Sequence, residues 1–435
     1  MRLDALVVIV VVATACSKAN GMIDATAKGP TIGAPPACTY VAPGGSVQAA
    51  LDDPQVSAVC LQPGRYEGSL RLAREVTLWG PRDAFVAGSG TIIDVTAPKA
   101  AVLGMTIDGK GGKFDRLDGA VRLTADDTRV EGVRVINATF GILIERASRV
   151  RVVNNHIFGS RDPASGLRGD TVRMWETRDS LIEGNTIEDG RDLVVWYSRN
   201  NSILNNYVLR ARYAMHFMYS HDNIVRGNRM IGTVVGVFVM YSRGVKILDN
   251  LIADASGAAG MAIGIKDSGN IDVLDNRLIH DTVGVYVDSS PMQRGDRLQI
   301  SRNVIRLNET GVAFHSSAKD LEVRDNDLAD NTTQVRVDGG GDATAVTWSG
   351  NYFDDYAGYD LDDDGIGDVP YELRSLSNQL ISTTPSLAFF RGTAALALVD
   401  AATKLDPLYQ PAPVMIDRAP RVSARWPTDR SARSD

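Results

Sequence analysis

Nine asparagines recur through the centre of the chain at nearly constant intervals, each preceded by a short apolar stretch. They are Asn155, Asn185, Asn206, Asn228, Asn250, Asn276, Asn303, Asn326 and Asn351. Subtracting successive positions gives gaps of 30, 21, 22, 22, 26, 27, 23 and 25 residues. A floor of 21–22 with variable excess means a repeating structural rung that lets out loops at chosen points. Strands this short cannot bury a face alone. Rungs must therefore stack at the ~4.8 Å strand spacing into a parallel coil with a continuous core. Parallel crossovers are overwhelmingly right-handed. The expected fold is all-β, a right-handed parallel β-helix (a solenoid) with a short α-helical C-terminal extension.

The asparagines are expected to be structural. A side-chain amide at the same turn of every rung can bond to its neighbours above and below, and Asn tolerates left-handed turn conformations. Their use is as a register. Three rungs align without gaps, ending in Leu193-Val194-Val195-Trp196-Tyr197-Ser198, Met215-His216-Phe217-Met218-Tyr219-Ser220 and Val237-Phe238-Val239-Met240-Tyr241-Ser242. Alternation along the strand then assigns faces. Val285, Val287, Val312, Phe314, Met215, Phe217, Val237 and Val239 point inward. One outward column reads Trp175, Trp196, Met218, Met240, Lys266, Asp288, His315. A second, two residues earlier, reads Arg173, Val194, His216, Phe238.

Solvent-facing Trp, Met and Phe are not what an idle solenoid face requires. His216 and Met218 lie two apart on one strand, so they point the same way, and Met240 is expected beside Met218. An imidazole with two thioethers is a soft donor set of low charge, and thioether ligation selects Cu(I) over zinc or calcium. His221, in the following turn, and Met230 are candidate outer members. Two other readings stay open. The ridge could be covered by a loop or a partner protein, since Met suits adaptable interfaces. Alternatively Lys266, Asp288 and His315 could serve as acid and base on a sugar, as in a polysaccharide lyase or epimerase. General acid–base work needs groups close together, and these three are expected to be spread over separate rungs with insertions between them.

After the last rung, Asp360, Asp362 and Asp364 fall at positions 1, 3 and 5 of an EF-hand-type loop, with Gly365 at 6 and Asp368 at 9. Position 12 is Tyr371, not the usual Glu. A structural calcium ion closing the array and an ion-free acidic turn are both compatible with this spacing. Beyond it the pattern turns helical over Ser375 to Phe390 and Thr393 to Leu405, separated by Gly392 and stopped by Pro407. The tail from Pro411, with several arginines and Trp426, suits an extended segment that docks on something else.

Residues 1–16 read as an export signal: Arg2, an apolar run, then Ala13-Thr14-Ala15-Cys16, similar to a lipobox in which Cys16 is lipidated. The alternative is an ordinary signal cut nearby. No other stretch approaches the ~20 apolar residues of a membrane span. Cys38 and Cys60 then remain as a pair. In an oxidising compartment they are most simply a disulfide closing a loop of about 20 residues, contributing roughly 3 kcal/mol; metal binding is the other reading, though neighbouring ligands are lacking. Formal charge is −7, so a basic nucleic-acid footprint is absent. The expected organisation is a leader over 1–16, a tether over 17–37, the β-helix over 38–353, an acidic calcium-like loop over 354–372, and a helical and extended docking segment over 373–435.

The phrases Arg191 to Ser198, Tyr213-Ala214-Met215-His216-Phe217-Met218-Tyr219-Ser220 and Val237 to Arg243 resemble the centre of the NosD family. Gly358-Tyr359-Asp360-Leu361 through Tyr371 is similar to its C-terminal part, and Pro43 to Leu51 with Pro63-Gly64-Arg65-Tyr66 to its N-terminal part. The resemblance spans about residues 40–426. It implies a periplasmic, non-enzymatic accessory protein for copper-site maturation of nitrous oxide reductase in denitrification. Such a protein works with an ABC-type ATPase and permease and takes Cu(I) from a copper-carrying lipoprotein. The family does not itself assign His216, Met218 and Met240 as ligands. The lipobox and the Cys38/Cys60 pair depart from the family's usual pattern.

Overall fold

A computed structural model describes residues 32–426 apart from 110–111, 161–163, 318, 340, 392 and 406–409. The expected leader with Cys16, the tether up to residue 31, and the helix boundary marks Gly392 and Pro407 lie outside the described residues.

The chain is a right-handed parallel β-helix, its described strands forming parallel sheets of 14, 12 and 13 members. One rung shows the construction. Tyr213–Met218 lies in the 12-stranded sheet, Ile224–Arg226 in the 14-stranded sheet and Arg229–Ile231 in the 13-stranded sheet, after which Val235–Met240 begins the next rung. The inward residues read from the alternation (Met215, Phe217, Val237, Val239, Val285, Val287, Val312 and Phe314) are all completely buried. So is Met230, which points into the core from the 13-stranded sheet. It is therefore not an outer member of a metal site. Sequence position had brought it near the ridge, but its strand belongs to a different face.

The asparagines run as a buried ladder along the corner between the 14- and 13-stranded sheets. From Asn185 onward, each side-chain oxygen accepts both the backbone N–H and the Nδ2–H of the asparagine one rung earlier, while Asn155 accepts the Val133 N–H. Asn206 takes them from Asn185 at 3.0 and 2.9 Å, and Asn228 takes them from Asn206 at 2.8 and 3.0 Å. Nδ2 also reaches a backbone carbonyl, as from Asn206 to Ile182 at 3.0 Å, so these buried amides are satisfied. A second ladder, of hydroxyls, runs along the corner between the 12- and 14-stranded sheets, just past the C-terminal ends of the outward strands. The Oγ atoms of Ser220, Ser242, Ser268, Ser290 and Ser317 each accept the backbone N–H of the serine before, from Ser198 onward, at 2.9–3.1 Å. With both corners pinned, a loop let out between rungs leaves the strand register intact.

Both ends are covered. A helix over Val47–Asp52, capped by Ser46, lays Val47 and Leu51 on the first rungs, and a disulfide joins Cys38 to Cys60 with Cα atoms 5.8 Å apart. At the other end the tail does not extend away. Pro413–Asp417 pairs antiparallel with Tyr371–Arg374, the Arg421 guanidinium bonds the Gly350 carbonyl and Asp327, and Arg277 lies 3.9 Å over the Trp426 ring. The surface on which this segment docks is the chain's own last rungs. The helix expected over Ser375 to Phe390 breaks after Thr383, because Pro385 lacks an N–H and holds Thr384 out of the helical region; a 3-10 turn follows over Pro385–Phe390. The second helix spans Ala394–Leu405.

Candidate metal centre

The outward ridge forms in the register that the asparagines imply. Trp175, Trp196, Met218, Met240, Lys266, Asp288 and His315 are successive partners across seven neighbouring strands, and Arg173, Val194, His216 and Phe238 are successive partners beside them. Met218 and Met240 are directly adjacent and half-buried, one strand apart, with His216 two residues before Met218 on the same face.

His216 is enclosed by aromatic rings. Tyr213 stacks on it at 4.9 Å, Trp196 meets it edge-on at 5.5 Å, and Phe238 lies 6.2 Å away. Tyr213 is three residues before His216 and would face the other way on a regular strand. A register shift against Asp192–Val194 inserts one extra residue here and turns the tyrosine onto the histidine's side. Burial pushes the imidazole below its usual pKa, and the Arg212 and Arg191 guanidiniums add to this against the pull of Asp192. The ring is therefore neutral at pH 7, offering one lone pair and one N–H. Neither Nδ1 nor Nε2 has a hydrogen-bond partner, and neither touches solvent; the Trp196 indole N–H is equally unpaired. Each such buried polar atom costs about 1–3 kcal/mol. A soft cation fits this donor set, since it would take the free lone pair while the thioethers of Met218 and Met240 supply neutral sulfur.

Beneath His216 lies a charged cluster absent from the sequence reading. Asp170 and Asp192 are both buried; Arg191 bonds Asp170, and Arg212 clasps Asp192. Burial is the main cause that pushes Asp170 up to about 6, with Asp192 adding to it against the nearby Arg191 and Arg173. His221 stays out of the soft set, because its Nδ1 accepts the Arg243 backbone N–H at 3.1 Å.

Further along the ridge, Lys266, Asp288 and His315 are brought together, contrary to the expectation that insertions would spread them. Asp288 takes the Lys266 ammonium on Oδ2 and His315 Nδ1 on Oδ1 at 3.1 Å. The insertions leave between strands, so they do not disturb the column. Burial alone would raise the Asp288 carboxyl, but bonds from Lys266, His315 and Ser289 outweigh it and hold it below the usual range. The same contact with Asp288 raises Lys266. Both groups are driven away from neutrality, the opposite of what a general acid or base needs at pH 7.

In the acidic loop, carboxylate oxygens of Asp360, Asp362 and Asp364 lie within 4.8 Å of one another. Asp364 raises the Asp362 carboxyl more than any other cause. Asp368 is turned to accept the Leu361 N–H at 2.7 Å. Tyr371 leaves the loop for the core, where it stacks on Phe353 at 3.9 Å. The three aspartates gather and the last two positions of the motif do not join them.

Residues 153–358 match the family model described as periplasmic copper-binding protein (NosD). Two relatives are described as probable ABC transporter binding protein NosD. The one from Pseudomonas aeruginosa is 25% identical over 370 residues, 78% of this chain and 82% of the relative. The one from Stutzerimonas stutzeri is 23% identical over 380 residues, 78% and 81% of the two chains. Among solved structures, the catalytic unit of a GH87 α-1,3-glucanase from Streptomyces thermodiastaticus superposes with a TM-score of 0.50 at 17% identity. It covers 68% of this chain and 57% of that one, and the likeness is one of fold alone.

Proposed function

The chain belongs to the NosD family, and we propose that it is a periplasmic copper-handling accessory protein that takes Cu(I) transiently on His216, Met218 and Met240. The observation that carries this is a neutral imidazole, unpaired at both nitrogens, beside two register-matched thioethers. The family's copper-binding description agrees with such a donor set. Three neutral ligands hold an ion without a carboxylate anchor, which favours exchange over storage. In this reading the protein works beside an ABC-type ATPase and permease, as the relatives' descriptions suggest. It receives copper from a lipoprotein donor and serves the maturation of nitrous oxide reductase in denitrification. Among the described residues no helix is long and apolar enough to cross a membrane. Membrane association would come from lipidated Cys16 after signal cleavage and from the transporter. Asp360, Asp362 and Asp364 would take a structural calcium ion.

We read the protein as non-catalytic. The carbohydrate-enzyme reading, with Lys266, Asp288 and His315 as acid and base, gains from their proximity. It loses more from the direction in which their protonation is driven. Anaerobic competition titration with Cu(I) tests the proposal against a His216→Ala/Met218→Ala/Met240→Ala variant. A folded variant should lose affinity by at least two orders of magnitude; equal affinity would remove the site.

A further inference from the structure

We propose that Met261 is a further soft-metal ligand, forming with Met240 a second, all-thioether station one rung beyond the set of His216, Met218 and Met240. This rests on the copper reading of that set. Alternation places Met261 in neither outward column, because it lies three residues before the outward position Gly264. The structure turns it outward in the way it turns Tyr213. Tyr213, Val235 and Met261 are register partners on three successive strands, as are His216, Phe238 and Gly264. Tyr213 folds onto His216, and the half-buried Met261 folds onto Gly264 in the same sense. A Cβ at Gly264 would stand 2.5 Å from Met261 Sδ and closer still to the edge of the Phe238 ring. Sulfur and ring edge therefore share the outer face of Gly264, within about 5 Å of each other.

The missing side chain is what admits this sulfur to the ridge. The same column carries His216 and Phe238 on the two preceding strands and Tyr286 on the following one. Met240 is thereby flanked by soft donors on both sides. His216 stands diagonal to it on the strand before, and the Met261 thioether stands diagonal to it on the strand after. Same-face diagonal neighbours on adjacent strands lie roughly 7–8 Å apart, a span that flexible Met side chains close around one ion. Lys266, next in Met240's own column, is paired with Asp288 and lies 3.8 Å from Asp267, so its charge is matched. A Cu(I) ion on the first set can move one rung, about 4.8 Å, while Met240 stays bonded. The bonds to His216 and Met218 break and one to Met261 sulfur forms. Copper stays monovalent, and no proton moves. Two thioethers are a donor set that keeps the preference for a soft monovalent ion.

A methionine that merely packs on Phe238 would not pass the following test. His216→Ala/Met218→Ala dismantles the first station and keeps Met240 and Met261. Cu(I) and redox-inert Ag(I) are titrated anaerobically into this full-length variant and into the same protein carrying Met261→Leu, which keeps the packing volume without the sulfur. The double variant should retain measurable affinity for both ions. Met261→Leu should lower that affinity at least tenfold and reduce the sulfur shell at the copper edge from two scatterers to one. Methionine-methyl NMR of the double variant gives a reading that does not depend on how well the leucine packs. Ag(I) should shift the Met240 and Met261 methyl resonances together. No residual affinity in the double variant, a residual affinity indifferent to Met261→Leu, or a Met261 methyl that stays still while that of Met240 moves would overturn the assignment. The copper reading fails separately. If the wild type does not bind Cu(I), or if it binds undiminished without His216, Met218 and Met240, the first site itself is absent. Normal binding on those three with a silent Met261 would sink only this inference.

Discussion

Asp417 stands where the next asparagine of the ladder would be, its Oδ2 accepting Asn351 Nδ2–H at 2.8 Å and the Asn351 backbone N–H at 3.1 Å. The chain returns 66 residues later to supply the acceptor that a further rung would have offered. Removing it leaves two buried donors unpaired, at about 1–3 kcal/mol each. Asp417→Ala should lower unfolding free energy by about 2–4 kcal/mol in denaturant titrations. Burial holds the Asp417 carboxyl above its usual pKa, so the charge itself is not what stabilises the cap. Asp417→Asn keeps one oxygen to accept from Asn351 but turns a donor onto the Ala419 N–H that Oδ1 accepts at 3.0 Å, so it should lose less than Asp417→Ala. Equal loss in both variants would show that the carboxylate charge, not the acceptor, closes the solenoid.

The buried Asp170 should write a pH dependence into stability. Its folded pKa of about 6 lies above the unfolded value near 4, so the folded state binds more protons between them. Unfolding free energy from this group therefore falls as pH rises from about 4 to about 6. The total is on the order of 3 kcal/mol, with no further change above that window. Groups facing Asp170 are Arg191, Arg173 and Asp192, and the first two limit the loss. Asp170→Asn should flatten that slope. Denaturant melts at half-unit pH steps would contradict this if both proteins showed the same slope.

Three methionines separate packing from binding. Met230 is completely buried in the core, and Met230→Ala should cost about 2–5 kcal/mol while leaving Cu(I) affinity unchanged. Met218→Ala and Met240→Ala truncate half-buried side chains on the outer ridge. Each should cost less than Met230→Ala in thermal melts and should weaken Cu(I) by roughly tenfold or more. Unchanged copper affinity together with core-like destabilisation in both would make the ridge a packing feature.

Much of this arrangement was legible because a β-helix converts sequence interval into spatial adjacency. The asparagine spacing located the rungs, and alternation from Gly284-Val285-Tyr286-Val287-Asp288 located both columns that carry His216, Met218 and Met240. Three things were hidden, each for a physical reason. Met230 looked near in sequence, but its strand faces the core of a different sheet. Tyr213 closes over His216 only through a one-residue shift that no periodicity reports. Lys266, Asp288 and His315 seemed dispersed because the insertions were counted as separation, whereas both corner ladders hold the rungs together. The serine of each repeated Tyr-Ser phrase was the available signal for the second ladder. The self-capping tail had no such signal, since its partners lie as far as 100 residues away.

The acidic loop makes a simpler prediction. If Asp360, Asp362 and Asp364 hold calcium, the ion binds the folded state and raises the unfolding midpoint by mass action. Millimolar Ca²⁺ should increase Tm relative to chelator, and Asp362→Asn should reduce the increment. A Tm indifferent to calcium would leave the loop as an ion-free turn.

The central claim is the ligand set, and X-ray absorption at the copper edge of the anaerobically Cu(I)-loaded protein reads it directly. Two sulfur scatterers and one imidazole nitrogen are predicted, with one sulfur lost in Met240→Ala and the imidazole signature lost in His216→Ala. A shell of nitrogen and oxygen alone, or a sulfur shell unchanged when both Met218 and Met240 are replaced, would contradict it.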